Sequence, residues 1–318
     1  MLKRIIVFIT IALSLIESIN AQQDPLVTHF FYNKMSFNPA ATGADEGISA
    51  TTVYRNQWNK VSGAPNSAFL NIEGDASRFI PGGVGISFFH DAIGFNRQNN
   101  LMLNYSYPIK VNSTDVLRAG LGVGLLNFGM KPTWVTNDPV ALDKSLPGGF
   151  SSSGFDINFG LYYKSAKRFY AGISLTHLNS VNIKHSTSIG SNTFNQIYPI
   201  VSHLYLMGGY NTRNIGPGHI DIQTLIKSDF NFMSMDLNAR YIVDSIGYGG
   251  LTFRNSDAIS FAFGYFLPQI PNFTIGYSYD FTINKLSNIS KGSHEILLRY
   301  VYYLPPPPIE ISRHPRWL

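Results

Sequence analysis

The sequence predicts an all-β fold, a transmembrane antiparallel β-barrel of about fourteen strands, on three observations. Short segments alternate apolar and polar residues, aromatic residues gather at the segment ends, and the longest connectors fall at one end of the array. The last hairpin shows the alternation most plainly. Phe273, Ile275, Tyr277, Tyr279 and Phe281 share one face of an extended strand, while Thr274, Gly276, Ser278 and Asp280 share the other. The returning segment places Ile296, Leu298, Tyr300 and Tyr302 on one side and Glu295, Leu297 and Arg299 on the other. A soluble sandwich would fill its apolar face mainly with aliphatic residues, whereas aromatics at strand ends mark a membrane interface.

Taken in order, the chain opens with Lys3 and Arg4, an apolar run from Ile5 to Ile16, and small and polar residues up to Ala21. Residues 1–21 therefore read as a secretory signal peptide cleaved after Ala21. The run is too short to cross a bilayer as a helix, and no cysteine follows it to carry a lipid anchor. The remaining 297 residues contain no cysteine, so packing and hydrogen bonds alone must hold the fold. Mean hydropathy is balanced, as expected where lipid-facing and lumen-facing positions alternate. The net charge of +5 is spread along the chain without basic runs, which gives no case for nucleic acid.

Residues 22–47 are broken by Pro and Gly and form an N-terminal segment, either periplasmic or folded into the lumen. The barrel is expected over residues 48–304. Its strand candidates are Ile48–Asn56, Ser67–Gly74, Gly83–His90, Asn99–Tyr107, Asp115–Phe128, Phe155–Lys164 and Phe169–His177. They continue with Ile200–Tyr210, His219–Asp229, Met233–Val243, Ile246–Arg254, Ala258–Phe266, Phe273–Phe281 and Ser293–Tyr303. The interiors agree: Met233, Met235, Leu237, Ala239 and Tyr241 would meet lipid, with Ser234, Asp236, Asn238 and Arg240 in the lumen. Charge is thereby kept off the lipid face, where Arg or Lys costs about 2 to 4 kcal/mol at mid-bilayer. Gly120, Gly122 and Gly124 share the lumen face of their strand, which suits a crowded interior or a sharp bend.

Bacterial barrels have short periplasmic turns and longer outward loops. With the first strand running outward, Gln57–Asn66, Asp91–Gln98, Gly129–Gly154, Leu178–Pro199 and Thr282–Gly292 become outward loops. Asp75–Gly82, Ser165–Arg168, Asp244–Ser245 and Leu267–Asn272 become inward turns, and both termini are periplasmic. The short connectors Phe230–Phe232 and Asn255–Asp257 also fall outward, against the trend. Either the N-terminal segment or Gly129–Gly154, each of 26 residues, could occlude the lumen. Residues 305–318 begin with four prolines that end the sheet and project a semi-rigid periplasmic tail, whose Arg313, Arg316 and Trp317 could dock a partner. In the outward loops, Trp58, Lys60, Trp134, Phe150, Phe194 and Tyr198 are the candidate anchors for a protein partner; the alternative is that they lie along the aromatic rim.

No catalytic, cofactor or metal signature emerges, so the chain is not expected to be an enzyme. GLGVGL at Gly120–Leu125 lacks the helix and lysine of a phosphate loop, and the histidines show no metal-ligand spacing. Asp236, Arg240, Glu295 and Arg299 are expected to pair across the lumen rather than line a pore.

NPAATG at Asn38–Gly43, YRNQW at Tyr54–Trp58, GAP at Gly63–Pro65, GVGISFFHDAIG at Gly83–Gly94 and LNYSYPI at Leu103–Ile109 follow one another along the chain. With LRAGLGVGL at Leu117–Leu125 and the closing block Gly276–Tyr300, this succession resembles the PorP/SprF family. The resemblance implies an outer-membrane barrel of the type IX secretion system of gliding and related Gram-negative bacteria. It further implies support for the export or surface anchoring of a large partner adhesin, contact with periplasmic machinery, and no catalytic residues or cofactors. Barrel physics alone would equally allow a general porin.

Overall fold

The computed structural model describes residues 26–133, 149–179, 182–189, 192–255 and 257–305. The expected signal peptide and all but the start of the tail lie outside them. Among the described residues sixteen strands form. They are β1 (Ile48–Asn56), β2 (Asn66–Asp75), β3 (Gly83–Ile93), β4 (Asn96–Lys110), β5 (Val116–Met130), β6 (Phe150–Ser165), β7 (Phe169–Thr176), β8 (Asn182–Ile189), β9 (Asn192–Pro199) and β10 (His203–Asn211). β11 (His219–Ser228), β12 (Met233–Val243), β13 (Gly247–Arg254), β14 (Ala258–Phe266), β15 (Phe273–Thr282) and β16 (Ser293–Tyr302) complete the series. All but β8 and β9 join one closed antiparallel barrel of fourteen strands, sealed where β1 pairs with β16 from Ile48–Tyr302 to Asn56–His294. β8 and β9 form a separate hairpin in the connector between β7 and β10.

The alternation positions the wall as the sequence predicts. On β14, Ile259, Phe261, Phe263 and Tyr265 face outward and are exposed, while Ala258, Ser260 and Ala262 are buried inside. On β15, Thr274, Ser278 and Asp280 are buried while Ile275 and Phe281 are exposed. Among the described residues no helix is long and apolar enough to cross a membrane, and the exposed apolar belt belongs to strands.

At one end of the barrel, here the turn end, connectors run to at most seven residues. The opposite, loop end carries the long connectors 131–149, 177–202 and 283–292. Three expected boundaries are corrected. The expected loop Asp91–Gln98 is a two-residue turn at Gly94 and Phe95, with Gly94 in the left-handed region that such a turn requires (φ 56°). The strand expected to begin at Phe155 begins at Phe150, and Leu178–Pro199 is not plain loop but contains β8 and β9. At the turn end Asp115 ties two turns together, accepting hydrogen bonds from Asn112 (2.8 Å), Ser165 Oγ (2.7 Å) and Tyr163 Oη (2.9 Å). Those bonds hold its carboxyl well below the usual carboxylate range.

Candidate functional site: a latched plug inside the barrel

The inward faces of fourteen strands would enclose an open space if nothing filled it. Residues 26–46 fill it. Interrupted by Pro39 and Gly43, this segment folds as a 3₁₀ turn at Phe30–Tyr32, a single helical turn α1 (Lys34–Phe37), and a second 3₁₀ turn at Pro39–Ala41. Val27, Phe30, Phe31, Phe37, Ala40 and Ala41 are buried against inward side chains such as Val53, Phe69, Tyr162, Tyr205, Tyr248 and Leu297. The molecule's apolar core is therefore the contact between plug and wall.

The Asn38–Gly43 stretch docks by backbone approach. Asn38 caps its own turn, accepting from Ala40 N at 2.9 Å, and donates through Nδ2 to Leu161 O at 3.0 Å in the wall. Glycines make room for it: a Cβ on Gly120 would lie 2.1 Å from Ala40 N, and one on Gly160 2.1 Å from Asn38 Oδ1. Below this, Gly43 N donates to Glu73 Oε2 (2.9 Å) and Ser106 Oγ to Thr42 O (2.6 Å). Where the segment leaves the lumen, Asp45 meets Lys164 at 2.7 Å and Lys34 at 3.6 Å. These ammonium groups, Lys34 foremost, hold its carboxyl well below the ordinary range.

The other end of the plug is latched by charge. Glu295 of β16 accepts from Thr28 N and His29 N, each at 2.8 Å, and its Oε1 lies 2.6 Å from His29 Nδ1. Arg55 of β1 bridges Glu295 (3.2 Å) and Asp280 of β15 (2.6 Å), and Thr28 Oγ1 donates to Asp280 at 2.9 Å. Arg254 of β13 continues the network, contacting Asp236 through two nitrogens (2.8 and 3.1 Å) and Asp280 at 3.2 Å. Nearby, Arg240 pairs with Asp221 and lies over the Phe31 ring, 3.5 Å from its centroid. All of these wall charges are buried, so each depends on its partners: losing one side of a buried pair costs about 3–5 kcal/mol. Asp236, Arg240 and Glu295 do pair, but with charges on the neighbouring strands (Arg254 on β13, Asp221 on β11 and Arg55 on β1) rather than across the lumen as expected, and Arg299 lies over the Tyr32 ring at 5.0 Å. Arg55, Arg254, Asp221 and Asp280 were not singled out as a group, because their meeting depends on register across several strands.

Two cavities beside the plug are small. One beside α1, reached by Phe69, Asn100 and His177, measures about 60 Å³, and another between Lys34 and Glu73 about 20 Å³. Each holds a handful of waters at most.

The candidate partner anchors fall in different places. Trp58 and Lys60 stand in the 57–65 connector at the loop end, both with left-handed backbone (φ 49° and 72°). Phe150 is not in a loop: it opens β6 and is buried with Leu126, Phe128 and Ile200. Tyr198, on β9, stacks on it with ring centroids 4.8 Å apart, so this pair is held in an apolar cluster at the loop end. Phe194 lies on β9, and its side chain is outside the described set. Trp134, Arg313, Arg316 and Trp317 lie outside the described residues.

The family described as type IX secretion system membrane protein PorP/SprF matches residues 19–300, the whole plug and nearly the whole wall. The chain belongs to that family. No curated protein matches it. Among solved structures it is similar to the CymD monoaromatic hydrocarbon channel, at 13% identity and a TM-score of 0.49 over 86% of this chain and 93% of that one. It is also similar to the Ralstonia pickettii toluene transporter TbuX, at 11% identity and a TM-score of 0.48 over 85% and 93%. A Pseudomonas aeruginosa FadL homologue gives 11% identity and a TM-score of 0.46 over 84% and 93%. This member of the PorP/SprF family is thus an outer-membrane β-barrel of a secretion-system family, with its lumen occupied by its own N-terminal segment.

Proposed function

We propose that this barrel serves type IX secretion as a closed anchor, supporting the export or surface attachment of a large secreted adhesin of the gliding-motility type. In this reading the loop end faces outward and grips the adhesin, while the turn end and tail meet the secretion or motility apparatus in the periplasm. The observation that carries it is the latched plug. A barrel whose lumen is packed from Thr28 to Gly43 is suited to holding a partner at its rim, and unsuited to the free diffusion a general porin performs. The loop end supplies the rim, since its connectors 131–149 and 177–202 are far longer than a wall requires. Deletion of residues 131–149, which leaves β5 and β6 whole, or of Leu178–Pro199 is expected to leave a heat-modifiable, membrane-assembled barrel and to strip the adhesin from the cell surface. Normal adhesin display and spreading with both deletions would overturn the assignment of the grip to these loops and move it to the tail 305–318.

A further inference from the structure

At the loop end, the connector 57–65, the Gly94 turn and the first residues of β4 enclose an open cleft of about 190 Å³. It is preformed. Asn59 exchanges two backbone hydrogen bonds with the 283–292 connector, N to Gly292 O at 2.8 Å and O from Lys291 N at 2.9 Å. Gly94 N donates to Gly63 O at 2.9 Å on the opposite side, and Trp58 N donates to Ser293 Oγ at 3.1 Å. Two non-glycine residues, Trp58 and Lys60, are held in the left-handed region, a conformation that persists only where its surroundings impose it and that concentrates at functional sites.

The chemistry of the lining is one-sided. Lys60 and Arg97 both reach the cleft and no acidic side chain lines it. Neither makes an ion pair among the described residues; Arg97 spends Nη1 on Gly94 O (2.8 Å) and Asn96 O (2.7 Å), which fixes its guanidinium in place. Asn59 and Trp58 also line it, together with Asn56 and Asn66, whose amides bond to each other (Asn56 Nδ2 to Asn66 Oδ1, 2.7 Å) and to Ala64 O (3.3 Å). The interior cavity nearest the turn end differs in kind, since it mixes Lys34 and Arg299 with Asp45, Glu46 and Glu73. Fixed cations call for an anion, side-chain amides pair with hydroxyls, and an indole offers a flat apolar face to a ring. A volume below the usual range of drug-sized pockets admits one small group and not a protein segment.

We propose that this cleft binds a sugar residue bearing a phosphate or carboxylate, with Arg97 and Lys60 on the anion, the Asn59 amide on a hydroxyl and the Trp58 ring against the sugar face. Such a sugar could be the headgroup of a glycolipid beside the barrel or part of a soluble saccharide, and the test separates these sources.

With Trp134 and Trp317 replaced by Phe, Trp58 is the one indole left in the chain. The full-length barrel in detergent is titrated with glucose 6-phosphate, galacturonate, neutral glucose and inorganic phosphate, and separately with a diphosphorylated glycolipid in mixed micelles, while Trp58 fluorescence is followed. A saturable change with the charged sugars, weaker by about threefold or more with glucose or phosphate alone, is expected. Arg97→Ala should weaken it about tenfold and Lys60→Ala about threefold, in line with charge-assisted bonds at a partly exposed site. A response to the free sugars assigns a soluble saccharide, and a response to the glycolipid alone assigns a headgroup. No saturable response to any charged probe, an equal response to glucose, or an unchanged titration in both variants overturns the proposal. Lys60→Ala, at an exposed position, carries the test should Arg97→Ala fail to assemble.

Discussion

Glu295 is the residue on which most of the plug's upper contacts converge. One carboxylate serves two backbone N–H groups, the His29 ring and the Arg55 guanidinium, in an environment with no exposed surface. Leaving a buried donor without its acceptor costs about 1–3 kcal/mol, so truncation here loses several such bonds at once while removing nothing from the lipid face. Glu295→Ala is therefore expected to free the plug locally and leave the wall closed. Limited proteolysis of the detergent-solubilised protein should then cut within residues 26–47, and heat-modifiable mobility should persist; resistance equal to the parent would mean the latch is dispensable. Glu295→Gln keeps the shape and one acceptor but loses the charge that Arg55 needs, so its susceptibility should fall between the two.

At the scale of elements, β5 and β6 carry glycines where other strands carry side chains, because the Asn38–Ala41 turn lies directly against their backbones. Gly120→Ala would drive a methyl into Ala40 N, and the backbone on both sides leaves little room to yield. Overpacking of this kind costs about 1–3 kcal/mol, which should displace the turn and lower the thermal transition without changing the strand count. A transition identical to the parent's would show that the turn does not seat as described. The same elements show what the sequence makes legible. Alternation such as Phe273–Phe281 revealed every barrel strand, because each wall position has one lipid and one lumen neighbour. It failed where that asymmetry ends: Asn96–Gln98 and Ser151–Gly154 are polar or small on both faces, so the extensions of β4 and β6 beyond the apolar belt looked like loop. The hairpin β8–β9 escaped for the same reason. The plug follows no period at all, since its residues are surrounded by wall on every side, and its Pro and Gly breaks hinted only at an irregular path, either periplasmic or lumenal.

At the scale of the whole molecule, the fold resembles a vessel whose contents are covalently attached to its first strand. Ions or solutes could cross only if the plug moved, and movement would have to break the buried pairs at Glu295 and Asp280 together with the Asn38 dock. Such coupled contacts give a closed resting state, separated from any open one by several pairs lost simultaneously. The purified parent protein in planar bilayers is accordingly expected to show no large, steady conductance. Removal of residues 26–42, keeping Gly43–Gly47 as the lead into β1, should produce one, since a fourteen-strand wall without its filling leaves an aqueous passage. Glu295→Ala should lie between them, with brief openings, and it stands in for the deletion if the emptied barrel does not assemble. Large steady currents from the parent would sink the closed-anchor reading at once, because they would require a path through the space that Phe30, Phe31 and Phe37 occupy.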